Sequence, residues 1–164
     1  MSKITDILSD CTILQTVGNV NDFHGKIRFD SREVKNGDMF IAFKGSQVDG
    51  HNYIEKAIAF GADFIVCEEL PEKINEDVCY LKIDDSKSGL GKISSAFYGH
   101  PSRNLNLVGI TGTNGKTTIA NLLFDVTRSL GYSAGLISTI NVCINDLERP
   151  ATHTTPDPVQ LHAS

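Results

Sequence analysis

Apolar residues crowd into three short runs in the first half of the chain. "DMFIAFKG" (38–45), "DFIVCEE" (63–69) and "VCYLKID" (78–84) are each apolar through the middle and bounded by charge or turn formers, the pattern of strands buried on both faces. Between and after them the period lengthens from two to three or four. Ile54, Ala57 and Ile58 in "NYIEKAIAFGA" share one face of a helix that ends at Gly61, and Leu90, Ile93 and Phe97 share a face between Asp85 and Gly99. "ITDILSD" (4–10) reads as a short helix, and the thirty residues after it as irregular and rich in turn formers. Strand, helix, strand, strand, helix is an α/β order.

"YGHPSRNLN" (98–106) gathers Gly, Pro, Ser and Asn and reads as a boundary between domains spanning 1–103 and 104–164. Beyond it, "LNLVGIT" (105–111) reads as a buried strand. "KTTIANLLFDVTRSLG" (116–131) reads as a helix with Ile119, Leu122, Leu123, Val126 and Leu130 on one stripe and Gly131 as its cap. "SAGLIST" (133–139) reads as the next parallel strand, completing a right-handed βαβ unit. After Ile140 the pattern fades, and residues 153–164 read as a loop. The expected fold is α/β, a small N-terminal α/β domain followed by the first βαβ unit of a phosphate-loop domain. A doubly wound nucleotide-binding domain needs several such units. The chain is therefore expected to be the N-terminal part of something longer, with a strand edge and an apolar helix face left open.

Composition narrows the function. At 164 residues, 40% hydrophobic and 21% charged, the chain has the make-up of a protein with a real core. A net charge of −5 speaks against a grip on nucleic acid. No apolar run approaches the ~20 residues that span a bilayer, and the start lacks a signal peptide's pattern, so a cytoplasmic location away from membranes is expected. Cys11, Cys67, Cys79 and Cys143 are scattered without a C-x-x-C pair and read as small buried hydrophobes. The five histidines form no metal-binding cluster, and His51 and His100, beside glycine or proline in turns, read as structural.

The chemistry lies in "TGTNGKTT" (111–118). Gly112 and Gly115 let the backbone turn its N–H groups inward at phosphate oxygens, and the helix beginning near Lys116 adds its positive end. Lys116 can set an ammonium against the β- and γ-phosphates, and the Thr117 hydroxyl can ligate Mg²⁺. The strict pattern G-x-x-x-x-G-K-[ST] is not met, because its first slot falls on Ile110 and the nearest upstream glycine is Gly109.

"GITGTNGKTT" resembles the ATP loop of the Mur ligases, the ATP-dependent amide-forming enzymes of peptidoglycan precursor synthesis, and folylpolyglutamate synthases share its "TGTNGK". "FDSREVKNGDMFIAFKGSQVDGHNYIEKAIAFGA" (29–62) resembles the UDP-recognising domain of the MurE and MurF types. "FYGHPSRNLNLVGITGTNGKTT" with "GLISTINVCIND" and "THTTPDPVQLH" is similar to the MurE type, which adds the third residue of the stem peptide.

That resemblance implies ATP with Mg²⁺ at Gly112, Thr113, Asn114, Gly115, Lys116, Thr117 and Thr118, with Lys116 catalytic and Thr117 on the metal. It implies that Phe29, Ser31, Ser46, Gln47 and Val48 hold the UDP end of UDP-N-acetylmuramoyl-L-alanyl-D-glutamate. His153, Thr154 and Thr155 would hold the muramoyl-peptide part; the family usually has Asn where this chain has His153. The implied reaction joins meso-diaminopimelate, favoured over L-lysine, through an acyl phosphate, with no obligate protein partner. Further metal ligands and a third domain of the family cannot lie within this chain, which alone is expected to be inactive. Without the resemblance, Asp30-Ser31-Arg32 reads as a turn with an ion pair, Ser46–Val48 as a surface loop and Thr154-Thr155-Pro156 as an extended pre-proline segment. The alternatives are a MurF-type ligase adding D-Ala-D-Ala, an isolated UDP-sugar-binding module, and another phosphate-loop class, which would have no reason to carry the DSR segment.

Overall fold

The computed structural model describes residues 4–20, 22–45, 48–150 and 157–163. The three apolar runs become the centre of a five-stranded sheet. Its strands are β1 (Ile13–Val17), β2 (Ile27–Arg28), β3 (Asp38–Ile41), β4 (Ala62–Cys67) and β5 (Cys79–Ile83), in the order β1-β5-β4-β3-β2. β2 to β5 are parallel, and β1 closes the β5 edge antiparallel. Phe40, Ile65 and Tyr80 stand in one row of the ladder, and Ile41, Val66 and Leu81 in the next.

Successive side chains on a strand face opposite ways, so each apolar run feeds two cores. Met39, Ile41, Phe64, Val66, Leu81 and Ile83 pack with Ile4 and Ile7 of α1 (Ile4–Ile7) and with Leu90 and Ile93 of the later helix Ser86–Phe97. Phe40, Ala42, Ile65, Cys67 and Tyr80 pack on the other face against Ile54 and Ala57 of α2 (Ile54–Ala59). Helices thus cover both faces, which is why these strands show no polar alternation. The helix Ser86–Phe97, α3, starts where the Asp85 carboxylate accepts from the Ser88 N–H at 2.9 Å.

Gly61 ends α2 at φ +100°, and a Cβ there would lie 2.8 Å from Asn36 Cα. Gly61→Ala combines a left-handed conformation with that backbone clash. We expect it to lower stability by about 2 kcal/mol in a urea titration; a shift indistinguishable from zero would show that the 34–38 turn can move aside.

Two strands come from a segment that reads as irregular. β1 is largely solvent-facing, with Ile13 and Leu14 exposed, so no burial pattern marks it, and β2 is only two residues long.

After residue 104 the structure departs from expectation more sharply. The segment 106–111 forms no strand, and Leu107 is 77% exposed; a strand exists only by pairing, and no described residue pairs with it. The next helix, α4 (Lys116–Ser129), leads to a three-stranded antiparallel meander of β6 (Gly135–Ile137), β7 (Asn141–Ile144) and β8 (Leu147–Pro150). The expected parallel βαβ unit is therefore not formed among the described residues, because β6 finds its partner in a local hairpin instead. β7 and β8 turn through Asn145-Asp146, with Asn145 at φ +51°. The apolar stripe of α4 is open to solvent, with Leu122 63% and Leu130 69% exposed. Residues 158–163, part of the expected terminal loop, form a short helix, α5 (Pro158–Ala163), whose Val159 packs on the first core.

Candidate functional site

An open cleft of about 520 Å³ lies at the carboxyl ends of β2 and β3, where parallel α/β sheets present their ligand sites. The chain leaving β2 supplies Phe29, Asp30, Ser31 and Arg32. The chain leaving β3 supplies Phe43, Gly45, Val48 and Gly50, and Tyr53 and Lys56 close the side formed by α2 and the 3₁₀ turn before it. The Phe29 and Phe43 rings stand 6.2 Å apart, tilted by 44°. Phe29 and Ser31, from the segment after β2, are thus brought together with Val48 from the segment after β3; Ser46 and Gln47 lie outside the described residues.

Asp30 and Arg32 form the expected ion pair. Arg32 donates from its backbone N–H at 2.9 Å and from Nε at 2.9 and 3.1 Å to the two carboxylate oxygens. The guanidinium's hydrogen bonds hold Asp30 below its ordinary carboxylate range. This pair closes the turn that carries Ser31. Ser31 is 6% exposed, and its hydroxyl bonds to none of the described residues. Tyr53 and Lys56 went unread in the sequence because their helical period explains only the face of α2 that carries Ile54 and Ala57.

Beneath the cleft, Asp38 is 4% exposed and fully employed. Its carboxylate accepts from the backbone N–H groups of Lys26 (2.8 Å) and Lys35 (3.1 Å) and from Arg28 Nε (3.2 Å), while Arg28 also meets Glu33 at 3.0 Å.

The phosphate loop spans 112–115, with Gly112 at φ +151° and Gly115, which precedes the first residue of α4, at φ +76°. Lys116 curls back over the loop, its ammonium donating to the carbonyls of Gly112 and, at 3.3 Å, Thr113. The Thr117 hydroxyl bonds to none of the described residues, its carbonyl accepting from Asn121 Nδ2 at 2.8 Å. A free hydroxyl and a cation at the mouth of a loop with two left-handed glycines suit a nucleotide triphosphate with Mg²⁺. Gly112 to Thr118 lie together here; His153, Thr154 and Thr155 lie outside the described residues.

All four cysteines are free, and three are buried. Burial pushes the Cys67 thiol up to about 11, so it stays protonated and inert. No helix among the described residues is long and apolar enough to cross a membrane.

The profile of the Mur ligase family, catalytic domain, matches residues 24–98, and that of the Mur ligase middle domain matches residues 110–164. The chain belongs to the Mur ligase family. The cleft falls within the first match and the phosphate loop within the second. Among curated Mur ligases, the chain is 46% identical over 160 residues to UDP-N-acetylmuramoyl-L-alanyl-D-glutamate--2,6-diaminopimelate ligase of Phocaeicola vulgatus, covering 98% of this chain and 33% of that protein. The chain therefore spans about a third of the length of the curated relatives it matches. A solved structure of a ligase of the same name superposes with a TM-score of 0.68 at 28% identity, over 87% of this chain and 28% of that one. MurF from Acinetobacter baumannii superposes with a TM-score of 0.51 at 26% identity, over 71% of this chain and 25% of that one. The likeness is thus fuller to the MurE type than to MurF.

Proposed function

We propose that this chain supplies the uridine-holding cleft and the ATP-holding loop of a ligase that joins 2,6-diaminopimelate to UDP-N-acetylmuramoyl-L-alanyl-D-glutamate. Residues 1–103 are the substrate-recognising unit, and residues 104–164 begin the ATP unit. The diaminopimelate reading is supported by the names of these curated relatives, each a 2,6-diaminopimelate ligase. Acid–amino acid ligation of a cytoplasmic nucleotide-linked precursor needs no membrane anchor and no protein partner.

The observation that carries the reading is Ser31. Ser31 lines the cleft together with Phe29 and Phe43, and its hydroxyl bonds to none of the described residues, so its hydrogen-bonding capacity is open to a ligand. A flat, polar-edged base or ribose is the natural occupant. Phe29 and Phe43 offer aromatic faces, Ser31 offers a donor and acceptor, Val48 lines the wall, and Ser46 and Gln47 are further candidates by the family resemblance. His153, Thr154 and Thr155 take the muramoyl-peptide end.

ATP, when bound with Mg²⁺, supplies the phosphoryl group that makes the D-glutamyl carboxylate a competent acyl donor. The chain's own share is electrostatic and positional. Gly112 to Gly115 orient backbone N–H groups, Lys116 sets its ammonium against the β- and γ-phosphates, Thr117 offers its hydroxyl to Mg²⁺, and Thr118 extends the first turn of α4.

Isothermal titration with UDP-N-acetylmuramoyl-L-alanyl-D-glutamate tests the cleft. Ser31→Ala is expected to weaken binding about fivefold, the loss of one hydrogen bond, and to weaken UDP-glucose, which shares the uridine end, by a similar factor. No heat from either ligand, in a sample folded by circular dichroism, would remove the cleft from the site.

A further inference from the structure

The wall of the cleft that leaves β3 returns through Val48, Asp49 and Gly50, and it is pinned at its foot by a histidine. The Gly50 N–H donates to the Phe43 carbonyl at 2.9 Å, and the Gly45 N–H donates to the Val48 carbonyl at 2.9 Å. The Asp49 carboxylate then accepts twice from His51, from its backbone N–H at 3.0 Å and from its ring Nδ1 at 2.7 Å. The far side of the ring is occupied as well. Its Nε2 accepts from the backbone N–H of Glu68, just past β4, at 3.0 Å. Glu68 is itself anchored, its Oε1 accepting from the Ser86 N–H at 2.9 Å and the Ser86 hydroxyl at 2.7 Å at the first turn of α3.

These partners assign the ring. A backbone N–H can only donate and a carboxylate can only accept, so His51 carries its proton on Nδ1 and a lone pair on Nε2. That is the neutral imidazole, in one tautomer. Protonation would place an N–H against the Glu68 N–H and sever the tie to β4, even as it strengthened the pair with Asp49.

We propose that His51 is a positioning residue for the cleft: its neutral ring ties the Val48–Gly50 wall to the end of β4 and so sets that wall against the ligand. This rests on the reading of the cleft as the uridine site. The groups facing the ring are the Asp49 carboxylate from its own turn, with Lys44 close to that carboxylate, and the Glu68 N–H from the end of β4, whose carboxylate is spent on Ser86. The Gly50 N–H ties the wall to the chain leaving β3, and the Glu68 bond to the ring ties it to the end of β4.

The test is titration with UDP-N-acetylmuramoyl-L-alanyl-D-glutamate of the wild-type chain, His51→Gln and His51→Ala. His51→Gln, whose Oε1 can still accept from the Glu68 N–H, is expected to bind near the wild-type level. His51→Ala is expected to bind about fivefold more weakly, the worth of one hydrogen bond. A His51→Ala variant that binds like wild type, or a His51→Gln variant as weak as His51→Ala, overturns the role of His51 and leaves the uridine reading intact. A wild-type chain that is folded but takes up no ligand overturns the uridine reading and the proposal with it. Ring ¹⁵N shifts add a measurement independent of ligand and of variant folding: the Nδ1–H tautomer is expected at neutral pH, and the Nε2–H tautomer would overturn the proposal.

Discussion

Lys116→Ala is expected to lower the affinity of this chain for ATP·Mg²⁺ by up to about a hundredfold, the loss of charge-assisted hydrogen bonds worth about 1.5–3 kcal/mol. Among the described residues the side chain meets only two carbonyls, those of Gly112 and Thr113, and its ammonium can exchange them for phosphate oxygens. The loop's backbone N–H groups and the N-terminus of α4 remain in the variant, so residual binding is expected rather than none. Because Lys116 is exposed, the thermal midpoint should hardly move, which separates a lost ligand contact from a lost fold. The measurement is titration calorimetry with ATP, with and without Mg²⁺. Equal affinity in wild type and variant would strip Lys116 of its assigned role and leave the loop as an ordinary turn before a helix.

The second large effect concerns stability. Asp38→Ala is expected to cost about 3–5 kcal/mol in urea unfolding. The carboxylate is buried and serves three donors at once, the Lys26 and Lys35 N–H groups and Arg28 Nε. Removing it leaves two backbone donors without an acceptor, at about 1–3 kcal/mol each. Arg28 is partly cushioned, since it keeps Glu33. Asp38→Asn retains an acceptor oxygen and should fall between the two. A loss below about 1 kcal/mol for Asp38→Ala would mean that water replaces the carboxylate at the head of β3.

The elements legible in the sequence are those whose burial is decided locally. β3, β4 and β5 announce themselves because both faces are covered, and α2 and α3 because one face is. β1 and β2 did not, since one faces solvent along most of its length and the other is two residues long. The 106–111 segment illustrates the opposite failure. Its apolar residues suit a buried strand, yet a strand is a relation between two segments, and its partner is not among the described residues. The same logic governs the cleft. Phe29 and Ser31 could be named from a motif, whereas Tyr53 and Lys56 join them only because the 3₁₀ turn and α2 fold back beside β2 and β3. His51 looked like a turn residue, and nothing local hints that Glu68, seventeen residues on, donates to its ring.

The strand order carries a consequence for the chain as it is made. β2, β3, β4 and β5 take their places in the order of synthesis, each laid beside the one before it. β1 is the exception: it leaves the ribosome before all of them, and its partner β5 leaves last. While β2 to β4 emerge, β1 must wait unpaired, and an unpaired strand in a nascent chain is a place for wrong pairings to start. Its five residues are short and stay largely solvent-facing even in the finished sheet. The first strand to be translated is therefore among those least harmed by delay, and the sheet is sealed in one late step when β5 arrives.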